Sequence, residues 1–259
     1  YHTYDSPQIS DSEYDDLYKE LKTIESNSPK IITINSPSQR VGSTLLNYFE
    51  KVKHDIPMLS LSNAADESEF DDYYVRTTKA LSLSNIELFA EPKFDGLAIS
   101  ITYIDGKFDK AVTRGDGYIG EDVTQNVKTI KSLPLLLKDK RLPNKFTLKG
   151  EVFIDNDDFK VLKKNFANPR NAASGSLRQK NPEDTKKIPL KFIAYTFGFE
   201  KGLKVDNQFD YLNKLGEWGF KTNPLNKLIS GVKNLITNYI EIEKKRANLD
   251  FDIDGIVYK

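Results

Sequence analysis

Apolar residues near the start of the chain have helical spacing. They recur every three or four positions at Tyr14, Leu17, Tyr18, Leu21 and Ile24. Ser10 and Glu13 have the spacing of a capping box, in which the two side chains satisfy backbone donors of the first turn. The pattern therefore predicts a helix that ends at Ser28-Pro29. Residues 66–80 are predicted to form a second helix.

Further along the chain, β-type runs alternate with helical ones. The β-type runs predict strands at 86–89, 97–103, 107–113, 146–154, 190–199 and 251–258. The helical runs are 121–131, 156–166, 207–217 and 229–246. Asp105-Gly106 is a hairpin turn. Strands joined partly by hairpins and interleaved with helices predict an α+β fold with antiparallel sheets flanked by helices, and not a doubly wound parallel sheet.

Breakers mark a boundary between two units. Ser36-Pro37 and Gly42 lie in a loop-rich connector at 29–58, which follows the first helix. We therefore expect a small helical module with its connector at 1–48 and a larger domain at 49–259. The chain begins at Tyr1 and ends inside a predicted strand, so we expect a piece of a longer protein, truncated at the start of the module and at the end of the larger domain.

Composition narrows the class of protein. The chain is 38% apolar and 29% charged, with no run long enough to span a membrane and no signal segment. It has no cysteine, which excludes disulfides and thiolate zinc sites and fits a reducing cytoplasm. Because 38 basic residues balance 38 acidic ones, a nucleic-acid enzyme has to concentrate positive charge locally. The stretch 160–191 does so, although a solvated helix face explains any single lysine there better.

The hexapeptide from Glu91 to Gly96 carries the first candidate chemistry. On a pleated strand, Lys93 and Asp95 project from the same face. An ordinary charge pair is the commoner outcome of such spacing. The alternative is a nucleophilic amine held by its neighbour, and this requires the amine to lose its proton. The hexapeptide alone leaves both alternatives open.

Three further motifs place charge at strand ends or inside apolar strands. Arg114 lies in a glycine-rich turn that follows a predicted hairpin, and Glu151 interrupts an apolar strand. Asp254 opens the last predicted strand and Lys259 ends it. Buried carboxylates need a partner such as a sugar hydroxyl, a cation or a metal. Together with Lys93, these residues suit the activation of a phosphate.

In this order, the motifs resemble those of covalent nucleotidyltransferases, and along the whole chain those of bacterial-type NAD-dependent DNA ligases. The stretches that carry the resemblance are HDIPMLSL (54–61), KFDG (93–96), TRGDG (113–117), GEDVT (120–124), FANPRNAASGSLRQ (166–179) and FDIDG (251–255). The resemblance implies the nucleotidyltransferase (ATP-grasp-like) adenylation fold, preceded by the small helical module.

The amino-terminal segment resembles the module that binds the nicotinamide mononucleotide (NMN) half of NAD in this branch of the superfamily. The resemblance implies that five residues contact NMN: Tyr1, His2, Asp11, Tyr14 and Asp15. Aromatic rings can stack on the cationic nicotinamide, and carboxylates can accept hydrogen bonds from its amide and ribose. Tyr14 also lies on the apolar stripe of the first helix, so packing is an alternative role.

Roles for the remaining site residues are also implied by the resemblance. Lys93 is expected to attack the adenylyl phosphate of NAD, with Asp95 and Asp254 orienting it. The adenosine contacts are expected from Ser60, Leu61, Glu91, Arg114, Glu151 and Lys259. Phosphates of NAD, of the adenylylated intermediate or of DNA are expected at Arg170, Arg178 and Arg246. Mg²⁺ is expected to shield phosphates through water and phosphate oxygens, with no protein ligand assigned.

The resemblance further implies nicked double-stranded DNA and NAD as partners, a monomeric cytoplasmic protein, and a place in DNA replication and repair. The family's downstream lysine and further domains lie outside this chain, so nick sealing is not expected from it. Pro92 departs from the family pattern and removes a backbone donor. Two rivals stay open: a nucleotidyltransferase that uses ATP or GTP, and an inactive DNA-binding or scaffold relative.

Overall fold

A computed structural model describes residues 11–31, 49–137, 139, 142–162, 165–200 and 205–259. Its helices are α1 (Asp11–Asn27), α2 (Glu67–Ala80), α3 (Thr124–Val127), α4 (Asn156–Leu162), α5 (Pro169–Leu177), α6 (Pro182–Lys186), α7 (Gln208–Glu217) and α8 (Val232–Lys245). Single 3-10 turns follow α1 at Pro29–Ile31 and α8 at Arg246–Asn248.

The strands are β1 (Lys51–Lys53), β2 (Glu87–Phe94), β3 (Leu97–Ile104), β4 (Lys107–Thr113), β5 (Ile119–Glu121), β6 (Lys145–Phe153), β7 (Lys191–Glu200), β8 (Lys227–Ser230) and β9 (Ile253–Tyr258). They form a four-stranded sheet in the order β4-β3-β6-β7, a three-stranded sheet in the order β8-β2-β9, and the pair β1-β5. Every pairing is antiparallel, so the α+β prediction is confirmed.

Each of the two larger sheets buries an apolar face. The main core is built on the four-stranded sheet, and within it the ring of Phe146 contacts those of Tyr103 and Trp218. The helices α5 and α7 contribute Leu177 and Leu215 to this core. A smaller cluster joins α2 and α8 to the three-stranded sheet. Because β2 belongs to the three-stranded sheet and β3 to the four-stranded sheet, the short turn between these strands connects the two sheets.

Pro92 fits β2 because of its place in the hydrogen-bond ladder. Phe89 and Lys259 exchange both backbone hydrogen bonds, at 2.8 and 3.0 Å. Along an antiparallel pair, every second residue directs its backbone N–H and C=O groups towards the partner strand. Phe89 does so towards β9, and the nitrogen of Pro92, three residues later, therefore points away from β9. On that side, β8 pairs with β2 only over residues 87–90. The proline therefore replaces a donor that has no partner in either neighbouring strand.

Two predicted helices are wrong in part. Residues 121–131 were predicted as one helix, but Glu121 is the last residue of β5 and only 124–127 are helical. The reason is that Glu121 pairs with Lys51 of β1, while Asp122 caps the backbone N–H of Thr124 at 2.9 Å. The predicted helix 229–246 begins only at Val232, because residues 227–230 pair with β2 and Gly231 adopts a φ of 84°.

The sequence pattern also missed α5 and α6, which carry few large apolar residues. Both helices depend on end signals, since Asn168 and Asn181 cap their first turns and Pro169 and Pro182 follow the caps. The predicted helix 156–166 ends at Leu162, and residues 163–164 lie outside the described part. In α1, Leu17 and Ile24 of the predicted apolar stripe are 57% and 46% exposed.

Candidate active site

Lys93 lies on the central strand of the three-stranded sheet. It faces Gly255 of β9 across the ladder, and its Nζ donates to the carboxylate of Asp254. The Lys93 side chain keeps 43% of its surface exposed, so its amine is accessible to a ligand. The spacing in the sequence predicted Asp95 as the neighbour of Lys93, and the resemblance implied both Asp95 and Asp254; in the structure Asp254 is the direct partner.

Asp95 lies just beyond the end of β2, where a backbone irregularity at Lys93–Phe94 precedes the turn. Its carboxylate accepts a hydrogen bond of 3.1 Å from Arg170 at the start of α5. Burial raises the pKa of Asp95, and the nearby negative charge of Asp254 raises it further, whereas Arg170 and Lys93 lower it. The site thus holds two carboxylates beside one amine, and each carboxylate has its own cation.

Glu151 on β6 brings the four-stranded sheet into the same site. Burial raises the pKa of this carboxyl group to about 8, against the opposing effects of Arg170, Lys93 and Arg114. Glu151 pairs with Ala98 of β3, whose carbonyl accepts the backbone N–H of Arg114. Its side chain lies against Gly96 in the turn that follows Lys93. A carboxyl group that is neutral near pH 7 can donate as well as accept a hydrogen bond.

Glu91 and Lys259 form a second ion pair on the same two strands as Lys93 and Asp254. The Glu91 side chain is only 7% exposed, and burial raises its pKa even though Lys259 lowers it. Lys259 also donates to the backbone carbonyl of Tyr195 at 2.9 Å. The Oε2 atom of Glu91 is buried without a hydrogen-bond partner among the described residues. A buried unsatisfied acceptor is costly, so this atom is suited to a donor on a ligand.

Two residues belong to this site although sequence reasoning missed them. The ring of Tyr195 on β7 lies 5.5 Å from Nζ of Lys259, and its hydroxyl is electrostatically coupled to Glu151, Arg114 and Glu91. Gln208 at the start of α7 donates to the Tyr195 carbonyl at 2.5 Å. An aromatic residue in a strand is ordinarily a core residue, so the sequence carried no signal for Tyr195.

Several predicted site residues are not part of this cluster. Arg178 pairs with Glu121 at 3.1 Å, and Arg246 is exposed at the end of α8. Ser60 and Leu61 are exposed in the coil before α2. Tyr1 and His2 lie outside the described residues. The backbones of Asp11, Tyr14 and Asp15 lie in α1, but their side chains are also outside the described part. Their roles stay predictions.

The described residues contain no group of three or more His, Asp or Glu side chains arranged to hold a metal ion. A divalent cation at this site would need most of its ligands from water or from a substrate. Such coordination is the usual preference of Mg²⁺ at phosphate sites. In the same described ranges, no helix is long and apolar enough to cross a membrane.

The fold and the site together define a class of protein. A solvent-accessible lysine amine, carboxylates with their own cations and an unsatisfied buried acceptor meet where two antiparallel sheets join, as expected of a nucleotide-activating enzyme. Known proteins agree with this class. The sequence model described as the NAD-dependent DNA ligase adenylation domain matches residues 46–259. The one described as the DNA ligase-like, N-terminal NAD+-binding domain matches residues 1–42.

Curated relatives are similar over the whole of this chain. The DNA ligase of Pelagibacter ubique (strain HTCC1062) is 51% identical over 263 residues, which cover 100% of this chain and 39% of that protein. The DNA ligase of Coprothermobacter proteolyticus is 42% identical over 267 residues, covering 100% of this chain and 40% of that protein. The chain belongs to the NAD-dependent DNA ligase family, and it spans about two fifths of the length of these relatives.

Proposed function

We propose that this chain is the nucleotide-activating part of an NAD-dependent DNA ligase, and that Lys93 is its nucleophile. The Nζ atom attacks the adenylyl phosphorus of NAD, a P–N bond forms, and the P–O bond to NMN breaks. The products are lysyl-AMP and free NMN. The proposal includes the finer fold assignment, a nucleotidyltransferase domain at 49–259 preceded by an NMN-binding module at 1–48.

One observation carries the proposal. The exposed amine of Lys93 lies against Asp254, next to the pair of Asp95 and Arg170. An arginine offers a planar fork that binds phosphate oxygens, and an adjacent carboxylate can accept the proton that the amine has to lose. A purely structural ion pair explains neither the exposure of this amine nor the second carboxylate beside it.

The surrounding residues fit the two ends of an adenosine phosphate. The unpartnered Oε2 of Glu91 is suited to the exocyclic amine of adenine, and the ring of Tyr195 offers an aromatic surface beside it. Glu151 and Arg114 are suited to the ribose. Ser60 and Leu61 complete the expected base pocket, Lys259 holds Glu91, and Arg170 faces the phosphates.

The site suits a Mg²⁺ ion that lies near its carboxylates and takes its ligands from water and phosphate oxygens. Asp95 and Asp254 are mutually repelling carboxylates, and a cation near both would relieve that repulsion. When bound, Mg²⁺ would supply charge neutralisation of the phosphates through water and phosphate oxygens. The protein's own contribution is to hold the carboxylates and Arg170 on one side of the reacting phosphorus.

The remaining predictions concern the longer protein. There, AMP passes to the 5′-phosphate of nicked DNA, with Arg178 and Arg246 facing phosphates. The module with Tyr1, His2, Asp11, Tyr14 and Asp15 binds the NMN leaving group. We propose a monomer that acts in the cytoplasm on nicked double-stranded DNA.

Intact-mass analysis after a single turnover with NAD tests the proposal. The chain is expected to gain the mass of one AMP and to release NMN. Lys93→Ala is expected to gain nothing, whereas Lys51→Ala, which removes an exposed lysine from β1, should label like the parent chain.

The same assay separates the two rivals. Labelling by ATP and not by NAD would support an ATP-dependent nucleotidyltransferase and overturn the proposal. Absence of labelling with both nucleotides, together with salt-sensitive binding to nicked DNA, would identify an inactive DNA-binding relative.

A further inference from the structure

Residues 54–58, which we name the strap, run across the turn that carries Arg114. The strap follows β1, which pairs with β5. Its two ends are held by backbone hydrogen bonds to this turn, from His54 N–H to the Tyr118 carbonyl at 2.9 Å and from Met58 N–H to the Gly117 carbonyl at 2.8 Å. The strap therefore lies directly on the 113–118 turn.

His54 adds a side-chain lock to these backbone contacts. It is buried, with 8% of its surface exposed. Its Nε2 lies 3.1 Å from the carbonyl oxygen of Thr113 and 3.2 Å from that of Arg114. A carbonyl oxygen can only accept, so Nε2 carries the proton and donates to both atoms. β4 ends at Thr113, and the imidazole therefore satisfies carbonyls at the point where the strand ends.

The turn under the strap has little freedom to adjust. Gly115 adopts a φ of 56°, and a Cβ atom there would lie 1.9 Å from the Ile119 carbonyl oxygen. Gly117 adopts a φ of 90°, and its Cβ atom would lie 3.1 Å from the carbonyl oxygen of Met58. Both positions thus require glycine. Lys149, two residues before Glu151 on β6, holds the strap from its other side through a 3.0 Å hydrogen bond to the Pro57 carbonyl.

The lock joins two segments that the proposed function assigns to the nucleotide site. Arg114 is electrostatically coupled to Glu151 and to Tyr195. At the other end, the strap leads into Leu59 and Leu61, which are 68% and 55% exposed next to a buried Met58. Exposed apolar side chains offer a surface for a flat ring, and Leu61 is one of the residues expected to line the adenine pocket.

We propose that His54 is a positioning residue that locks the strap to the 113–118 turn and so fixes Arg114 and Leu59–Leu61 as one wall of the nucleotide site. This inference rests on the proposed function, because it assigns the wall to nucleotide binding. Since the lock touches no reacting atom, it acts on the binding of NAD and leaves the attack by Lys93 largely unchanged.

Adenylylation rates of four chains at varied NAD concentrations test this inference: the parent, His54→Ala, His54→Gln and Asp55→Asn. Because each chain is labelled once, the observed rate constant is measured against NAD concentration. His54→Ala is expected to raise the half-saturating NAD concentration by about tenfold, with the maximal rate constant changed less than about threefold. The Gln side chain can place an amide N–H near the position of Nε2, so His54→Gln should recover most of the loss. Asp55 lies on the same strap and forms an exposed ion pair with Lys145 of β6. Asp55→Asn breaks only this pair and serves as the matched control.

Amide hydrogen exchange of the same chains supplies a second readout that needs no activity. Faster exchange at Met58, whose amide donates to the Gly117 carbonyl, is expected in His54→Ala only. Unchanged exchange at this amide overturns the inference, as does an unchanged half-saturating NAD concentration or an equal fall of the maximal rate constant in His54→Ala and His54→Gln. If the parent chain does not label with NAD, the proposed function fails, and the exchange data still decide whether His54 holds the strap to the turn.

Discussion

At the scale of single residues, the charges around Lys93 form two ion pairs. Lys93 and Asp95 are two positions apart, and the sequence predicted them as neighbours on one face. In the structure, Lys93 pairs with Asp254 across the ladder, while Asp95 pairs with Arg170 of α5. The strand irregularity at Lys93–Phe94 explains why Asp95 is not the partner of Lys93, because Asp95 lies beyond the regular pleat. Asp95 still acts on Lys93 electrostatically.

Glu151 gives a residue-scale prediction about pH. Its pKa rises from an ordinary value of 4.5 to about 8 because of burial. Between these values the folded chain keeps a proton that the unfolded chain has lost, so the contribution of Glu151 to stability falls as the pH rises. Glu151→Gln mimics the neutral carboxyl group. We expect its melting temperature to rise relative to that of the parent as the pH goes from about 5 to about 8.

Thermal unfolding by circular dichroism across this pH range measures the effect. Glu87→Gln, at the exposed start of β2, is the matched control. A difference in melting temperature between Glu151→Gln and the parent that stays constant with pH would contradict the prediction.

At the scale of elements, the turn between β2 and β3 depends on a glycine. A Cβ atom at Gly96 would lie 2.2 Å from the backbone carbonyl oxygen of Val152 on β6. This distance is too short for any side chain, so the turn has to move if a larger residue is present. Because the turn carries Asp95 and follows Lys93, its position sets the geometry of both groups.

We therefore expect Gly96→Ala to lower the free energy of unfolding by about 2–4 kcal/mol and to abolish labelling by NAD. Gly216→Ala is the control, because a Cβ atom there meets nothing within 4 Å and the residue lies in α7. This helical substitution should raise the free energy of unfolding by about 0.5–1 kcal/mol. Urea denaturation measures both changes, and equal effects of the two variants would disprove the prediction.

At the scale of the whole molecule, a buried ion pair connects distant parts of the chain. Glu121 on β5 is 1% exposed and pairs with Arg178, which caps α5 and is 22% exposed. The pair ties the β1-β5 strands to the helix that carries Arg170. Removal of one partner leaves a buried charge without compensation, which is more costly than replacing both partners with apolar groups.

Arg178→Met is accordingly expected to lower the free energy of unfolding by about 3 kcal/mol. The double variant Arg178→Met with Glu121→Leu should recover most of this loss, to within about 1 kcal/mol of the parent. Urea denaturation of the parent, both single variants and the double variant gives the coupling energy. If the double variant is as unstable as the sum of the single variants, the pair contributes no coupling.

The structure also changes the meaning of the basic stretch 160–191. Four of its lysines pair with nearby carboxylates: Lys160 with Asp157, Lys186 with Glu183, Lys187 with Asp184 and Lys191 with Asp155. Two of these carboxylates lie before the stretch, where a count of its own charges overlooks them. The surface that remains for DNA phosphates is therefore less positive than the sequence indicates.

The sequence by itself determined the class of fold and predicted which residues react. Alternating apolar positions and hairpin turns predict antiparallel strands because side chains of a strand alternate between two faces. Local motifs such as the one around Lys93 are contiguous, so they are visible without a structure. Short strands such as β5 were missed, since their formation depends on partners far away in the chain. Helices such as α5 were missed because they carry few large apolar residues and begin at a local cap.

Only the tertiary structure decided which charges meet. Asp254 lies 161 positions from Lys93, and Arg170 lies 75 positions from Asp95. No local pattern encodes these pairs, because they follow from the register of β2 with β9 and from the packing of α5 beside the sheet. The same holds for Tyr195, whose ring looks like a core residue in the sequence and meets Lys259 only after β7 has joined the larger sheet.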